Sequence, residues 1–206
     1  MITRFIFPVV KFLVRAVFYI ALIFSLYDVY SMIENVIQKP RQGIVLKPYS
    51  TAVTGTLPYS TSALFSYSPD SLLYYSQVAD RFTVRFKPHS GISYYKMIMK
   101  LFMIVITIGI LYTLKRIFED TNLHNPFNKF LIKRLYVLAS LFIIKDVFKL
   151  ADFYIVNQAL GNYFESSNFK VIVDTGSDFA TGLIVLIITV IFQRGVALQE
   201  ENALTV

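Results

Sequence analysis

Apolar residues gather into four runs, of which the third in chain order is interrupted by charge. The first run is Phe12 to Ser31, introduced by Arg4, Lys11 and Arg15. It leaves through Tyr27-Asp28-Val29-Tyr30-Ser31 with no small-x-small pattern, so it predicts an uncleaved membrane anchor rather than a secretory signal. Phe5 to Val14, with Pro8 inside it, reads as a short interfacial lead-in. The second run, Met97 to Leu114, lies between Lys96 and Lys115-Arg116, with Lys100 placed to snorkel outward on its long stem. At 1.5 Å per residue it rises about 27 Å, close to the ~30 Å hydrocarbon core of a bilayer.

A third helix opens at Asn125-Pro126-Phe127. Asn is a good N-cap, and Pro suits the first helical position because that N–H has no intrahelical partner. A helix from Pro126 to Val156 would be about 46 Å long, more than a bilayer core requires. Lys129, Lys133 and Arg134 then fall in the interface, and the span is about Leu135 to Val156. The fourth run, Phe179 to Phe192, is reached through Thr175-Gly176-Ser177-Asp178, with Ser177 or Asp178 as its cap. It continues through Gln193-Arg194-Gly195 into an amphipathic tail that carries Glu200 and Glu201. Thr181, Gly182 and Thr189 interrupt its aliphatic residues, either to let helices approach closely or as small residues any span tolerates.

The pattern therefore predicts an all-α membrane protein of one domain, residues 1–206, with transmembrane helices at about 12–31, 97–114, 126–156 and 178–200. Between the first two, residues 35–95 read differently. Gly43 to Lys47 looks like a strand, and Arg81 to Lys87 alternates, with Phe82, Val84 and Phe86 on one face and Arg81, Thr83, Arg85 and Lys87 on the other. Pro40, Pro48, Pro58, Pro69 and Pro88 punctuate the region. This predicts a small β-containing insertion that needs the helices to complete its core. It serves either as a sensing or binding element or as a lid over the bundle.

Charge orients the chain. Lys and Arg concentrate before the first helix and between the second and third (Lys115, Arg116, Lys129, Lys133, Arg134), whereas the connection to the fourth holds only Lys170. Short loops rich in Lys and Arg stay inside, so both termini are predicted cytoplasmic and the insertion extracytoplasmic. Only 16% of residues are charged against 55% hydrophobic, which separates the chain from ordinary soluble domains, nearer a quarter charged. The net charge of +7 is dispersed, fitting topogenic charge and anionic lipid rather than direct nucleic-acid binding. With no Trp, an interfacial aromatic belt must come from Tyr and Phe.

Lys145-Asp146-x-x-Lys149-x-x-Asp152 places four charges in the outer half of the third span. Such charges cost about 2.5–3.5 kcal/mol each on insertion scales and so face partners or water rather than lipid. Helix rise puts Asp28 and Asp178 at a similar depth, predicting one layer of Asp28, Lys145, Asp146, Lys149, Asp152 and Asp178. Lys149 and Asp152 are spaced to neutralise each other. Three readings stand: an ion-pair network that closes the bundle, a polar cavity that binds a small ligand or relays protons, or a shallower helix whose charges are wet. On the cytoplasmic side, Glu200 and Glu201 are expected to dock on Lys115, Arg116, Lys133 or Arg134.

Catalytic chemistry has little to work with. There is no Cys, and His89 and His124 lie in different predicted loops, so no metal, cofactor or thiol site is expected. No nucleophile–base pair or phosphate loop emerges, and a non-enzymatic protein is the expectation.

The ending Arg194-Gly195-Val196-Ala197-Leu198-Gln199-Glu200-Glu201-Asn202-Ala203-Leu204-Thr205-Val206 resembles the R-G-x-x-L-x-x-E-x-D-L-T-V ending of a family of small bacterial membrane proteins catalogued as domain of unknown function 2975. The Asn125-Pro126-Phe127-Asn128 turn, followed by Lys133-Arg134-Leu135, is similar to the family's P-F segment opening the third helix. Ala203 stands where the family usually has Asp. The resemblance covers about residues 97–206 and implies four transmembrane helices in a bacterial inner membrane and no established activity. Some members are encoded beside a small helix-turn-helix regulator, which implies a cytoplasmic regulatory partner. The resulting expectation is a membrane sensor or regulator. The alternative is a small transporter or peptide-immunity protein that uses the charged layer.

Overall fold

A computed structural model describes residues 2–37, 50–54, 65–67, 73–78, 81–86, 90–121, 129–163, 170–173 and 175–204. Within them lie four helices, α1 (Ile2–Ile37), α2 (Gly91–Asp120), α3 (Lys129–Tyr163) and α4 (Ser177–Leu204). Five strands accompany them: β1 (Ser50–Thr54), β2 (Phe65–Tyr67), β3 (Leu73–Val78), β4 (Arg81–Phe86) and β5 (Lys170–Val171). Three helical stretches, Phe7–Glu34, Gly91–Asp120 and Ser177–Glu201, are long and apolar enough to cross a membrane. α3 is as long but falls outside that class, because Lys145, Asp146, Lys149 and Asp152 break its apolar character.

Each helix outruns the apolar run that predicts it. α1 takes in the Phe5–Val14 segment as continuous helix despite Pro8, which forfeits one backbone hydrogen bond without ending the helix. α2 starts at Gly91 rather than Met97 because Ser90 caps it: the Ser93 N–H donates to Ser90 Oγ at 3.3 Å. Its far end closes on Thr121, whose N–H and hydroxyl both donate to the Ile117 carbonyl, at 3.1 and 2.6 Å. α3 continues past Val156 to Tyr163. The expected strand at Gly43–Lys47 and the Asn125–Pro126 cap lie outside the described residues.

The chain divides into two compact units. One comprises Met1–Leu26, Met103–Val147 and Thr175–Val206, and its described elements are helices. Its α4 buries a narrow seam, Gly182, Thr189 and Val196, recurring every seven residues. That period is the seam of left-handed helix packing. Gly182 makes the approach to α3 close: a Cβ there would stand 2.8 Å from Ile143 Cγ1 and 3.1 Å from the Ala139 carbonyl. Thr189 is fully buried and satisfies its hydroxyl on the Val185 carbonyl at 2.6 Å. Thr181, by contrast, is exposed and bonds back to the Ser177 carbonyl. Much of the remaining surface is large and apolar. Ile184, Ile187 and Ile191 on α4, and Phe12, Ile23 and Phe24 on α1, are all exposed. Contiguous apolar exposure on this scale is foreign to soluble monomers.

The other unit, Tyr27–Phe102 and Phe148–Asp174, contains the sheet. Strand order is β2-β3-β4-β1-β5, with every described pairing antiparallel. β4 coincides with the alternating segment apart from Lys87, and its Val84 and Phe86 are fully buried. They join Val53, Val171 and two α3 residues, Val156 and Leu160, in one core, with Ile92 and Tyr95 of α2 packed against it. This explains the length of α3, since its last turns are the platform of the sheet. β5 arrives from beyond α3 and pairs Val171 with Val53. The Val171 N–H donates to Asn157 Oδ1 at 2.9 Å, tying that strand to α3.

Gly182→Val is expected to destabilise the purified protein by about 1–3 kcal/mol, through overpacking against Ile143 and the Ala139 backbone. Thermal melting in detergent checks this, with Thr181→Val, at an exposed position, expected to melt close to the parent.

Candidate functional site: paired charges along the third helix

The charges of α3 are divided among separate partners. Lys145 Nζ donates to Asp178 Oδ1 at 3.2 Å, and both side chains are largely buried. Asp178 lies in the first turn of α4, where a carboxylate also meets the positive end of the helix dipole. Asp146, next in sequence, faces the residue before that helix: the Gly176 N–H donates to its two carboxylate oxygens at 3.1 and 2.9 Å. Gly176 has φ +94°, a left-handed conformation that a side chain would strain. The Ala180 N–H then bonds the Gly176 carbonyl at 2.9 Å, starting α4. Ser177 and Asp178, the expected caps, are its first two helical residues instead. Lys145, Asp146 and Asp178 thus form one junction that fixes how the chain turns from α3 into α4.

Asp152 belongs to a different contact. Its Oδ2 accepts from Lys96 Nζ of α2 at 2.7 Å, with each side chain 18% exposed. Asp152 Oδ1 and the Tyr95 hydroxyl are buried without a hydrogen-bond partner among the described residues. Asp28 pairs with Lys100, also on α2, at 3.5 Å and half exposed. Lys149 is half-buried one turn beyond Lys145 and has interactions of its own.

Five of the six residues read from sequence as one layer have these partners. Lys145, Asp146 and Asp178 meet at the α3–α4 junction, and Asp152 and Asp28 are neutralised from α2. Lys96 and Lys100 are the partners that sequence reasoning missed. They stand at the flank of an apolar run, where a cation is expected for topological reasons alone, and only their i,i+4 spacing on one helix face hints at a shared role.

The basic cluster is also tied up locally. Glu200 reaches Lys129 at 2.8 Å rather than the four cations expected to receive it, because Lys129 begins α3 on the side where the tail passes. Glu201 has a contact of its own. Lys115 Nζ lies 4.9 Å over the rings of both Phe18 and Tyr19. Arg116 Nε donates to the Tyr112 hydroxyl at 3.1 Å. Arg134 Nη1 donates to the Arg116 carbonyl at 2.8 Å and pairs with Asp120. Arg15 and Lys11 hold Glu119 through its carboxylate and carbonyl, at 2.9 and 3.0 Å.

What this arrangement can do chemically is hold helices in register. Asp146→Ala is expected to cost about 1–3 kcal/mol, since it strips the Gly176 N–H of a charged acceptor. Asp28→Ala, breaking an exposed pair, should cost at most about 1 kcal/mol. Denaturation of the two variants side by side checks the order, and equal losses would remove the distinction.

The family described as protein of unknown function (DUF2975) matches residues 77–206, from within β3 to the end of the chain. None of the curated proteins is similar to the chain, and no solved structure is similar to it. The match covers α2, α3 and α4 entire, and with them the α3–α4 junction and the Lys96–Asp152 pair. This chain is a member of the DUF2975 family of proteins of unknown function.

Proposed function

We propose that this is a non-enzymatic, multi-pass protein of the bacterial inner membrane that couples an outer signal to a cytoplasmic regulatory partner. In this reading all four helices cross the bilayer, both termini are cytoplasmic and the sheet lies outside. The distribution of Lys and Arg over the short connections supports the orientation, and the exposed apolar surfaces of α1 and α4 support immersion in lipid. α3 crosses despite its charges because Asp152 and Lys145 are each paired.

One observation carries the coupling. α2 and α3 each contribute residues to both units, Ile92 and Val156 to the sheet core and Arg116 and Arg134 to the basic cluster. The helices are 30 and 35 residues long, about 45 and 52 Å at 1.5 Å per residue. Both lengths exceed the ~30 Å that a bilayer core requires. A ligand that shifts the sheet against Ile92, Tyr95, Val156 and Leu160 would act on two helices that also contribute to the unit with the basic residues.

Topology reporters fused after Glu165 and after Val206 provide the test. The expected result is an external signal at Glu165 and a cytoplasmic one at Val206; the same side for both would overturn the four-span reading. Affinity purification from native membranes is expected to recover a cytoplasmic regulator. A dedicated exported peptide or small molecule in its place would replace regulation with immunity or transport.

A further inference from the structure

We infer that the α2–α3 cleft beside the basic cluster is a binding site for a phosphate group, carried by an anionic phospholipid or by a small soluble compound. The cleft is a cavity of about 350 Å³ lined by Tyr112, Thr113, Arg116, Lys133, Arg134 and Val137. That volume lies at the lower end of small-ligand sites, about 300–1,000 Å³.

Three of its six lining residues are cations, and none of the six is an acid. Asp120 is engaged by Arg134, and Glu119 by Arg15. The tail's Glu200 is held at Lys129, outside the cleft. Lys133 has no ion pair among the described residues. Three cations and no acid among the lining residues make this concave space positive, a charge that a phosphate group complements.

The donors are also held in place. Arg134 is fixed by its bonds to the Arg116 carbonyl and to Asp120. Arg116 is fixed by its Nε bond to the Tyr112 hydroxyl and lies with its guanidinium carbon 5.5 Å from that ring's centroid. Because that bond uses Nε, the terminal nitrogens of Arg116 remain to donate. Two oriented guanidiniums and an exposed ammonium form a donor set suited to phosphate oxygens, the planar groups giving geometry and the lysine a point charge. Thr113 does not compete, since its hydroxyl donates to the Gly109 carbonyl at 2.8 Å. Val137 supplies an exposed apolar wall, and basic pockets between membrane helices are known to take phospholipid headgroups.

The full-length protein in phosphatidylcholine nanodiscs should be titrated with phosphatidylglycerol and, separately, with inorganic phosphate, and binding read by native mass spectrometry. The parent and Lys133→Gln are compared, with Lys129→Gln as the control for loss of a nearby exposed cation. Lys133→Gln breaks no ion pair and is expected to melt like the parent. At least one of the two probes is expected to bind the parent and Lys129→Gln alike, and to lose about tenfold or more in Lys133→Gln. Loss confined to phosphatidylglycerol identifies a lipid headgroup, whereas loss confined to inorganic phosphate identifies a soluble phosphate compound. Binding of both probes that is indifferent to Lys133, or no binding of either, overturns the proposal.

Discussion

The sheet-bearing unit depends on a carboxylate that has nowhere else to go. Asp152 sits on α3, where Phe148 stacks on Phe102 of α2 and Phe153 packs against the sheet core, and its largely buried charge is neutralised by Lys96 at 2.7 Å. A carboxylate in such surroundings is stable only when paired and hydrogen-bonded, because the alternative is an ion stripped of water. The pair fixes α2 against α3 beside Tyr95 and Phe153, the residues that pack on the sheet core. Strands β1 and β4 can therefore bury Val53, Val84 and Phe86 on a platform whose two helices are already in register.

The helical unit solves a related problem in another way. Its α4 contributes only a narrow seam, and Gly182 lets α3 approach where a methyl group would collide. Polar residues then fix the turn that brings α4 back. Asp146 accepts the Gly176 N–H, and Lys145 anchors Asp178. Neighbouring residues on α3 thus have opposite charges and complementary tasks at the same junction. The apolar surface left over on α1 and α4 is too extensive for water and suits lipid, where packing between helices relies on small residues and satisfied polar groups rather than on the hydrophobic effect.

Much of this was legible in the residues. Unbroken apolar runs located α1, α2 and α4, and the strict alternation of Arg81 to Phe86 announced β4. Helix ends were less legible, since Gly91–Lys96 and Asn157–Tyr163 are polar or mixed and are helical because a cap or the sheet holds them there. β5 is two residues long and has no period to detect; it exists through pairing with β1 and the Asn157 side chain. The charges of α3 were conspicuous, but helix rise alone gives depth and not azimuth. Depth grouped six residues into a layer but did not point to Lys96 and Lys100 as the partners of Asp152 and Asp28.

The central claim, that Lys96 makes Asp152 tolerable on α3, is most directly tested by a double-mutant cycle on the full-length protein in lipid. Lys96→Met alone should cost about 3 kcal/mol or more, because it leaves a largely buried carboxylate unpaired. The double variant Lys96→Met/Asp152→Leu should recover most of that loss. If Lys96→Met proved no more damaging than Lys100→Met, whose partner Asp28 is half exposed, the account would be contradicted.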